Sequence, residues 1–342
     1  VARFTEHHAG RSTRQNGSEQ SPSLAGISIS PDLIERAREH IRPLAVRTPL
    51  VRAALPDGTS DVWLKLETLQ PIGSFKIRGA GAALAAAPRS QLAAGVYTAS
   101  AGNMAQGVAW AARAMGVPCR VIVPDHAPQT KVSAVERLGG SVTRVPFDRW
   151  WQVLVERSYP GFTGLFVHPV ADPHVIAGNA TIAREILEDL PDVDTVLVPF
   201  GGGGLASGIA TGLRALGSSA RVIACEVETA PAFEAALRAG QAVSVDHRAS
   251  FVDGIGGRGL LNEMWPLAST LLAGTVVTTL EEIADAIRYL VSRVRVVAEG
   301  AGAAPVGAAL ARAVPGERTV CIVSGGNIDL PKLATILDGR LP

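Results

Sequence analysis

Val198-Pro199-Phe200-Gly201-Gly202-Gly203-Gly204-Leu205-Ala206-Ser207-Gly208 joins the end of an apolar, β-branched run to the start of a helical pattern through four glycines. Residues 195–198 read as a buried strand and 205–216 as a helix. This is a strand–loop–helix unit of the kind that builds open parallel sheets. Glycines let successive backbone N–H groups converge on an anion, and the helix N-terminus adds partial positive charge. The stretch therefore reads as a phosphate cradle. It lacks GK[ST], so it is not a nucleoside-triphosphate P-loop. A tight strand-to-helix turn is the plainer reading, but a turn alone does not require four consecutive glycines.

The same alternation extends over most of the chain. Strand patterns fall at 62–66, 96–98, 120–123, 142–145, 195–198, 221–225, 275–278 and 319–323. Helical patterns fall at 74–87, 104–115, 131–138, 205–216, 231–239, 281–291, 303–313 and 331–337. Such an order predicts an α/β fold with mainly parallel sheets, helices on both faces, and ligands at the carboxyl ends of strands. The rhythm breaks between 145 and 171, around Trp150, Trp151, Tyr159, Pro160, Gly161 and Pro169. A crossover between two sub-domains is expected there.

With 342 residues there is room for one large domain or two ordinary ones. Hydrophobic residues make up 47% and charged residues 18%, which supports a sizeable core and excludes disorder as the general state. A net charge of +1 without a basic run excludes an electrostatic nucleic-acid binder. Cys119, Cys225 and Cys321 lie far apart in or beside apolar runs and read as buried free thiols in a reducing compartment, taken as the cytoplasm. No apolar run reaches membrane-spanning length, and the N-terminus has no apolar signal core. Residues 1–26 are polar and read as a disordered or extended tail, with His7 and His8 not expected to be ligands.

Three further signals carry chemistry. Lys76, in Ser74-Phe75-Lys76-Ile77-Arg78-Gly79-Ala80, is flanked by apolar residues and falls in the first turn of a helical pattern. Burial and the positive end of the helix dipole both disfavour the ammonium form. A neutral amine is a nucleophile toward aldehydes. A lysine snorkelling from an amphipathic helix is the plain alternative. Ser100-Ala101-Gly102-Asn103-Met104 also joins a strand to a helix, and its small residues suit a carboxylate, although Ser100 or Asn103 could equally be an N-cap. Ser324-Gly325-Gly326-Asn327 follows the last strand and offers a hydroxyl to a ligand edge. His168 and His174, with Asp172 between them, do not have structural-zinc spacing and read as solvated loop residues, as Arg293 and Arg295 read as a solvated or interface face.

The set Ser74–Gly79, Ser100–Asn103, Gly201–Leu205 and Ser324–Asn327 resembles, in content and order, the fold-type II pyridoxal-phosphate enzymes, most closely the threonine/serine dehydratase and serine racemase branch. The resemblance covers roughly residues 30 to 340. It implies two open, mainly parallel sheet domains of the tryptophan synthase β type, with the cofactor in the cleft between them. Residues 27–92 with 172–342 would form the large domain and 93–171 a small mobile one. Lys76 would hold pyridoxal 5'-phosphate as a Schiff base and act as the catalytic base. Phe75 would pack near the ring and Asn103 would hydrogen-bond its 3'-oxygen. Gly201, Gly202, Gly203, Gly204 and Leu205 would bind the phosphate through backbone N–H groups. Gly254 would approach one ring face, Glu299 would lie near the cofactor, and Ser324 would hydrogen-bond the pyridine nitrogen. Ser100, Ala101, Gly102 and Asn103 would receive the substrate carboxylate, with Met104 beside the β-substituent. A homodimer is usual among such chains.

The departures from the pattern are equally specific. Ala101 stands where the racemases carry a serine acid/base, which argues for elimination over racemisation. Ala232 stands where metal-binding relatives carry an acid, which puts a cation site near Glu226 in doubt, and no metal is expected. Met104 stands where many dehydratases have histidine; it fits either a bulkier β-substituent, as in phenylserine, or a core position. The chain ends soon after the last catalytic-domain helix, so no feedback domain is expected. One rival is a dinucleotide-binding dehydrogenase, because Gly201-x-Gly203-x-x-Ala206 is followed twenty residues later by Glu226. It leaves Lys76 and the Asn103 loop unexplained. A pyridoxal-phosphate β-replacement enzyme of the same fold is the other rival. The expected activity is conversion of an L-3-hydroxy amino acid to a 2-oxo acid and ammonia.

Overall fold

The computed structural model describes residues 1–7, 23–24, 27–55, 61–314 and 316–342. Most of the expected tail, including His8, lies outside the described residues. The strands are β1 (Arg3–Glu6), β2 (Ser23–Leu24), β3 (Ile27–Ser28), β4 (Leu50–Ala53), β5 (Asp61–Leu66), β6 (Val96–Ala99), β7 (Cys119–Pro124), β8 (Ser141–Val145), β9 (Leu165–Phe166), β10 (Thr195–Pro199), β11 (Arg221–Val227), β12 (Gly274–Thr278) and β13 (Arg318–Val323). The helices are α1 (Pro31–Ile41), α2 (Lys76–Ala86), α3 (Arg89–Leu92), α4 (Asn103–Met115), α5 (Gln129–Arg137), α6 (Phe147–Glu156), α7 (Pro173–Asp189), α8 (Gly204–Ala215), α9 (Ala232–Ala239), α10 (Trp265–Leu271), α11 (Leu280–Tyr289), α12 (Gly300–Leu310) and α13 (Leu330–Leu337).

A large sheet runs β1-β12-β11-β10-β13-β5-β4 and a small one runs β8-β7-β6-β9. The small sheet is parallel throughout, whereas the large one is parallel at its centre with antiparallel edge strands β1 and β4. Central strands are buried on both faces, which is why they read as continuous apolar runs. Side chains still alternate: Val196 and Val198 join the cluster under α1, α7 and α8, and Leu197 joins the cluster under α11 and α12. Cys119, Cys225 and Cys321 are buried free thiols, as expected.

The topology positions the ligand loops. β10 has β11 on one side and β13 on the other, so the chain leaves its carboxyl end at a point where the strand order reverses. β6, between β7 and β9, is the equivalent point of the small sheet. Open α/β sheets form ligand crevices at such points. The 201–204 and 100–102 loops are the two segments that follow these strands.

Helix α2 is wedged between the units. Ala80, Ala83 and Leu84 pack in the small-sheet core, while Phe75 and Ala82 pack in the large one. Glycine permits the close approach: a Cβ on Gly178 of α7 would lie 2.4 Å from the Arg78 carbonyl oxygen. Behind α2 sits a buried ion network. Arg78, 1% exposed, holds Glu67 with two N–H groups at 2.8 Å each and Glu185 at 2.7 and 2.9 Å. Lys65 reaches Glu185 at 2.6 Å and the Thr48 carbonyl at 2.6 Å, and the Thr48 hydroxyl donates to Glu67 at 2.6 Å. Against a burial that would raise it, Arg78 holds the Glu67 carboxyl below its ordinary range.

Part of the expected tail is instead an edge strand. Residues Arg3–Glu6 pair with β12, and Arg3 donates to both carboxylate oxygens of Glu234 at 2.9 and 2.8 Å. His7 Nε2 donates to the Ser269 carbonyl at 2.8 Å. Four residues with no alternating apolar pattern gave no strand signal; the ion pair supplies the anchoring instead.

Candidate active site

A cleft of about 400 Å³ lies between the sheets and brings together every residue singled out above: Phe75, Lys76, Ser100 to Met104, Gly201 to Leu205, Gly254, Glu299 and Ser324. The reading of the sequence missed other residues of its wall, among them His126, Phe147 and Val170, and gave no role in the site to Trp150, Asp253 and Asn327, which also line it. Phe147 and Trp150 lay in the stretch marked by its aromatic content, the one signal that could have found them.

Helix α2 starts at Lys76, two residues later than the pattern suggested. The Phe75 N–H donates to the Ser324 carbonyl at 3.0 Å, and Ser74 forms a bridge with Gly325. The lysine loop is thus pinned to the end of β13, which places Lys76 and Ser324 in one cleft. Lys76 Nζ donates to the Pro169 carbonyl at 2.9 Å and lies 5.2 Å from the Phe75 ring centroid. Burial pushes its pKa down to about 8, against an opposing attraction from Glu299. Glu299, at the N-terminus of α12, is itself pushed up to about 7 by burial, with Asp253 adding to the rise.

The three loops are cross-linked by side chains. Asn103 Nδ2 donates to Glu299 at 2.7 Å, and Asn103 Oδ1 accepts from Asn327 Nδ2 at 2.8 Å. Asn327 also donates to the Ile72 carbonyl at 2.9 Å. Met104 is 2% exposed; it packs in the small-sheet core and borders the cleft, so both of its anticipated surroundings are present.

The glycine loop is built for an anion. Phe200 N–H closes the strand ladder on the Cys225 carbonyl at 2.8 Å, and helical bonding resumes with Ser207 N–H on Gly203 at 2.9 Å. Among the described residues no backbone carbonyl takes the amides of 201–205. Gly203 has φ +87°, a left-handed conformation, and an added Cβ would lie 3.1 Å from the Phe200 ring. Five free amides at the start of α8 fit a phosphate. An amine in the same cleft whose pKa is pushed down to about 8, so that its neutral form is far more populated than in an ordinary lysine, fits an aldehyde. The chain's own residues therefore fit pyridoxal phosphate.

Two expectations about other residues need correction or closing. His168 is buried, not solvated, and its Nδ1 accepts from two backbone amides; the loop folds under α6, which composition alone does not reveal. His174 is half-buried, and the carboxylate of Asp172 caps α7 by accepting from His174 N and Val175 N. Glu226 is fully buried, and its carboxylate accepts from Phe233 N at 2.6 Å, Glu234 N at 2.9 Å and the Thr275 hydroxyl at 2.6 Å. Those oxygens are turned inward and engaged, so Glu226 cannot hold a ribose in the way the dehydrogenase reading required.

Comparison with known proteins agrees with this chemistry. The family model "Pyridoxal-phosphate dependent enzyme" matches residues 41–325. The L-threonine ammonia-lyase of Thermotoga maritima is 38% identical over 313 residues, covering 90% of this chain and 78% of that one. The L-threonine ammonia-lyase of Geobacter sulfurreducens is 39% identical over 320 residues, with the same coverage of 90% and 78%. The structure of maize serine racemase superimposes with a TM-score of 0.84 at 30% identity, covering 91% of this chain and 97% of that one.

The chain belongs to the pyridoxal-phosphate dependent enzyme family, and its fold is the fold-type II architecture. Within that family it is a threonine/serine dehydratase-like enzyme, and its cofactor is pyridoxal phosphate. No helix among the described residues is long and apolar enough to cross a membrane.

The depressed lysine pKa has a measurable consequence. Capture of pyridoxal phosphate by the apoenzyme needs the neutral amine of Lys76, whose folded pKa is about 8. The rate should rise about tenfold per pH unit below that value and level off above it. Borohydride-fixed adduct formed per second, measured between pH 6 and 9, checks this; a flat profile contradicts it.

Proposed function

We propose that this protein is an ammonia-lyase that converts an L-3-hydroxy amino acid, threonine or serine in type, to a 2-oxo acid and ammonia. The observation that carries the reading is the Lys76 amine, half-buried and with a lowered pKa, which shares one cleft with the open amides of 201–205 and the Ser100–Asn103 loop. Bound pyridoxal phosphate supplies an aldehyde for covalent attachment and a ring that takes up electrons released at Cα. With the cofactor bound, Lys76 would be its point of attachment and, when its amine is free and neutral, would remove the Cα proton as general base. Gly201 to Leu205 hold the phosphate. Ser100, Ala101, Gly102 and Asn103 hold the substrate carboxylate. Phe75 and Gly254 would bound the ring, and Asn103, with Glu299 behind it, would orient the 3'-oxygen.

Ser324 would offer the pyridine nitrogen a neutral hydroxyl, which would leave the ring a modest electron sink and favour prompt loss of a β leaving group. Ala101 has no proton to give, so reprotonation on a second face, as racemisation requires, is not provided for. On this reading 93–171 moves as a small unit against 27–92 with 172–342, and two copies form a homodimer in the cytoplasm. The partner in the cleft is a small-molecule amino acid; neither nucleic acid nor membrane is involved.

A bulkier substrate is the second reading, and the small-sheet wall favours it. Phe147 and Trp150 stand 5.5 Å apart by ring centroid, and His126 lies 5.9 Å from Phe147. All three line the cleft, and the one lysine there besides Lys76, Lys131, has its charge matched by Asp253. An aromatic or large apolar β-substituent suits this wall better than an acidic one. The test is kcat/KM for threonine, serine, 3-hydroxyaspartate and phenylserine, with ammonia and 2-oxo acid measured together. Equal release of both products from threonine, serine or phenylserine is expected, with 3-hydroxyaspartate the poorest of the panel by about tenfold or more, on the cost of an unmatched buried carboxylate. No ammonia from any of the four, with cofactor bound, contradicts the proposal.

A further inference from the structure

The short stretch from His168 to Ala171 touches both the lysine and the anion loop. His168 is 2% exposed. Its Nδ1 accepts from Val170 N–H at 3.1 Å and from Ala171 N–H at 2.7 Å. A ring nitrogen that accepts from two donors bears no proton, so the proton of the neutral ring is on Nε2. Nε2 is buried without a hydrogen-bond partner among the described residues, and the Leu154 backbone lies near enough to oppose part of the fall in the ring's pKa. The ring is committed to one tautomer by its backbone role alone.

That role folds the stretch into a tight turn with two products. The Pro169 carbonyl points at Lys76 Nζ and accepts from it at 2.9 Å. Val170 is laid against the cradle: a Cβ on Gly202 would lie 2.7 Å from Val170 Cγ2, and one on Gly204 would lie 3.1 Å from the Val170 carbonyl oxygen. Burial, with the charges of Arg157 and Lys76, pushes the ring down to about 3, so it stays neutral wherever the protein is folded at ordinary pH. The groups that face Lys76 are Glu299, from the start of α12, and this neutral imidazole.

We propose that His168 is a positioning residue for Lys76: by holding the amides of Val170 and Ala171, it fixes the Pro169 carbonyl that orients the lysine amine whenever that amine is free. The proposal rests on the reading of Lys76 as the catalytic amine. A neutral amine has two N–H bonds and one lone pair. Donation of one N–H to a fixed carbonyl removes free rotation about Cε–Nζ and leaves the lone pair in a defined direction. The free amine is the form that removes a proton from Cα, and also the form that captures cofactor.

Two variants separate orientation from folding. His168→Leu keeps bulk and deletes the acceptor. His168→Asn keeps an acceptor close to the position of Nδ1. One readout is kcat and KM of the holoenzyme with the fastest substrate of the panel. The other is the rate at which the apoenzyme captures pyridoxal phosphate at pH 7, fixed by borohydride and read by mass. His168→Leu should lower kcat about 10- to 100-fold, the order expected of a lost orientation, with KM changed less than about threefold, and should slow capture in parallel. His168→Asn should stay within about threefold of the unaltered protein on both readouts. If His168→Leu does not fold, His168→Gln, whose acceptor lies one methylene further out, takes its place with the same expected loss. Unchanged kcat and capture in the Leu or Gln variant overturn the proposal. So does an Asn variant that falls as far as the Leu variant. Failure of the underlying lysine reading shows separately, as undiminished turnover in Lys76→Ala.

Discussion

Lys76→Ala abolishes covalent retention of the cofactor and lowers kcat by at least about 10³-fold, because one substitution removes both the attachment point and the general base. The protein should still fold. Lys76 is half-buried with its Nζ held by one carbonyl, and its lowered pKa shows that desolvation already works against its charge. Removing it deletes a destabilising ammonium and leaves Glu299 as the nearest affected group. The amides of 201–205 remain, so pyridoxal phosphate should still bind, reversibly and without a borohydride-fixed adduct. Spectroscopy before and after gel filtration, together with product release, checks both parts. Turnover within about tenfold of the unaltered protein contradicts the assignment of the base.

Arg78→Leu should destabilise the fold by about 3–5 kcal/mol, the usual cost of removing one partner from a buried ion pair. Glu67 would be left fully buried, with Thr48 and Gln70 but no cation in hydrogen-bond contact. Glu185 would keep Lys65. Because Arg78 lies in the first turn of α2, the damage should spread to Lys76, and cofactor affinity should fall with stability. The pH dependence has a defined sign. Glu67 is held below its ordinary range, so its contribution is complete above the ordinary carboxylate pKa and is lost as pH falls through the lowered one. The unaltered protein should therefore lose its advantage over the variant on acidification. Thermal melts of the apoenzyme should show a fall of roughly 4–7 °C near neutral pH. Arg340→Leu, at an exposed surface pair, should move the melt by no more than about 2 °C. Equal melts for Arg78→Leu and the unaltered protein contradict the account of the network.

All eight strand patterns found in the sequence are strands in the structure, because buried parallel strands leave β-branched runs bounded by turns. The cleft was legible for a related reason. Glycine and small polar residues directly after such strands mark the places where an open sheet can bind a ligand. Helix α7 was not legible, although at 17 residues it is longer than any helix that was. Its residues are buried almost without interruption from Val175 to Ala183, so no amphipathic stripe appears. The Arg78 network was invisible for another reason. Its acids are 11 and 107 residues away in the chain, and only packing brings them together. His168 shows how composition misleads: a loop rich in proline and polar residues suggests solvent, yet two backbone donors draw its imidazole inside.

The central claim is that Lys76 is the amine that takes the cofactor, and the composition of the chain makes it directly testable. There are four lysines: Lys65, Lys76, Lys131 and Lys332. Lys65 is committed to Glu185, and Lys131 lies in the same cleft but is paired with Asp253. Borohydride reduction of the holoenzyme, followed by digestion and peptide mass spectrometry, assigns the attachment site. The account predicts a single phosphopyridoxyl adduct, on Lys76. An adduct on Lys131 or another lysine in its place, or no adduct with cofactor bound, contradicts it.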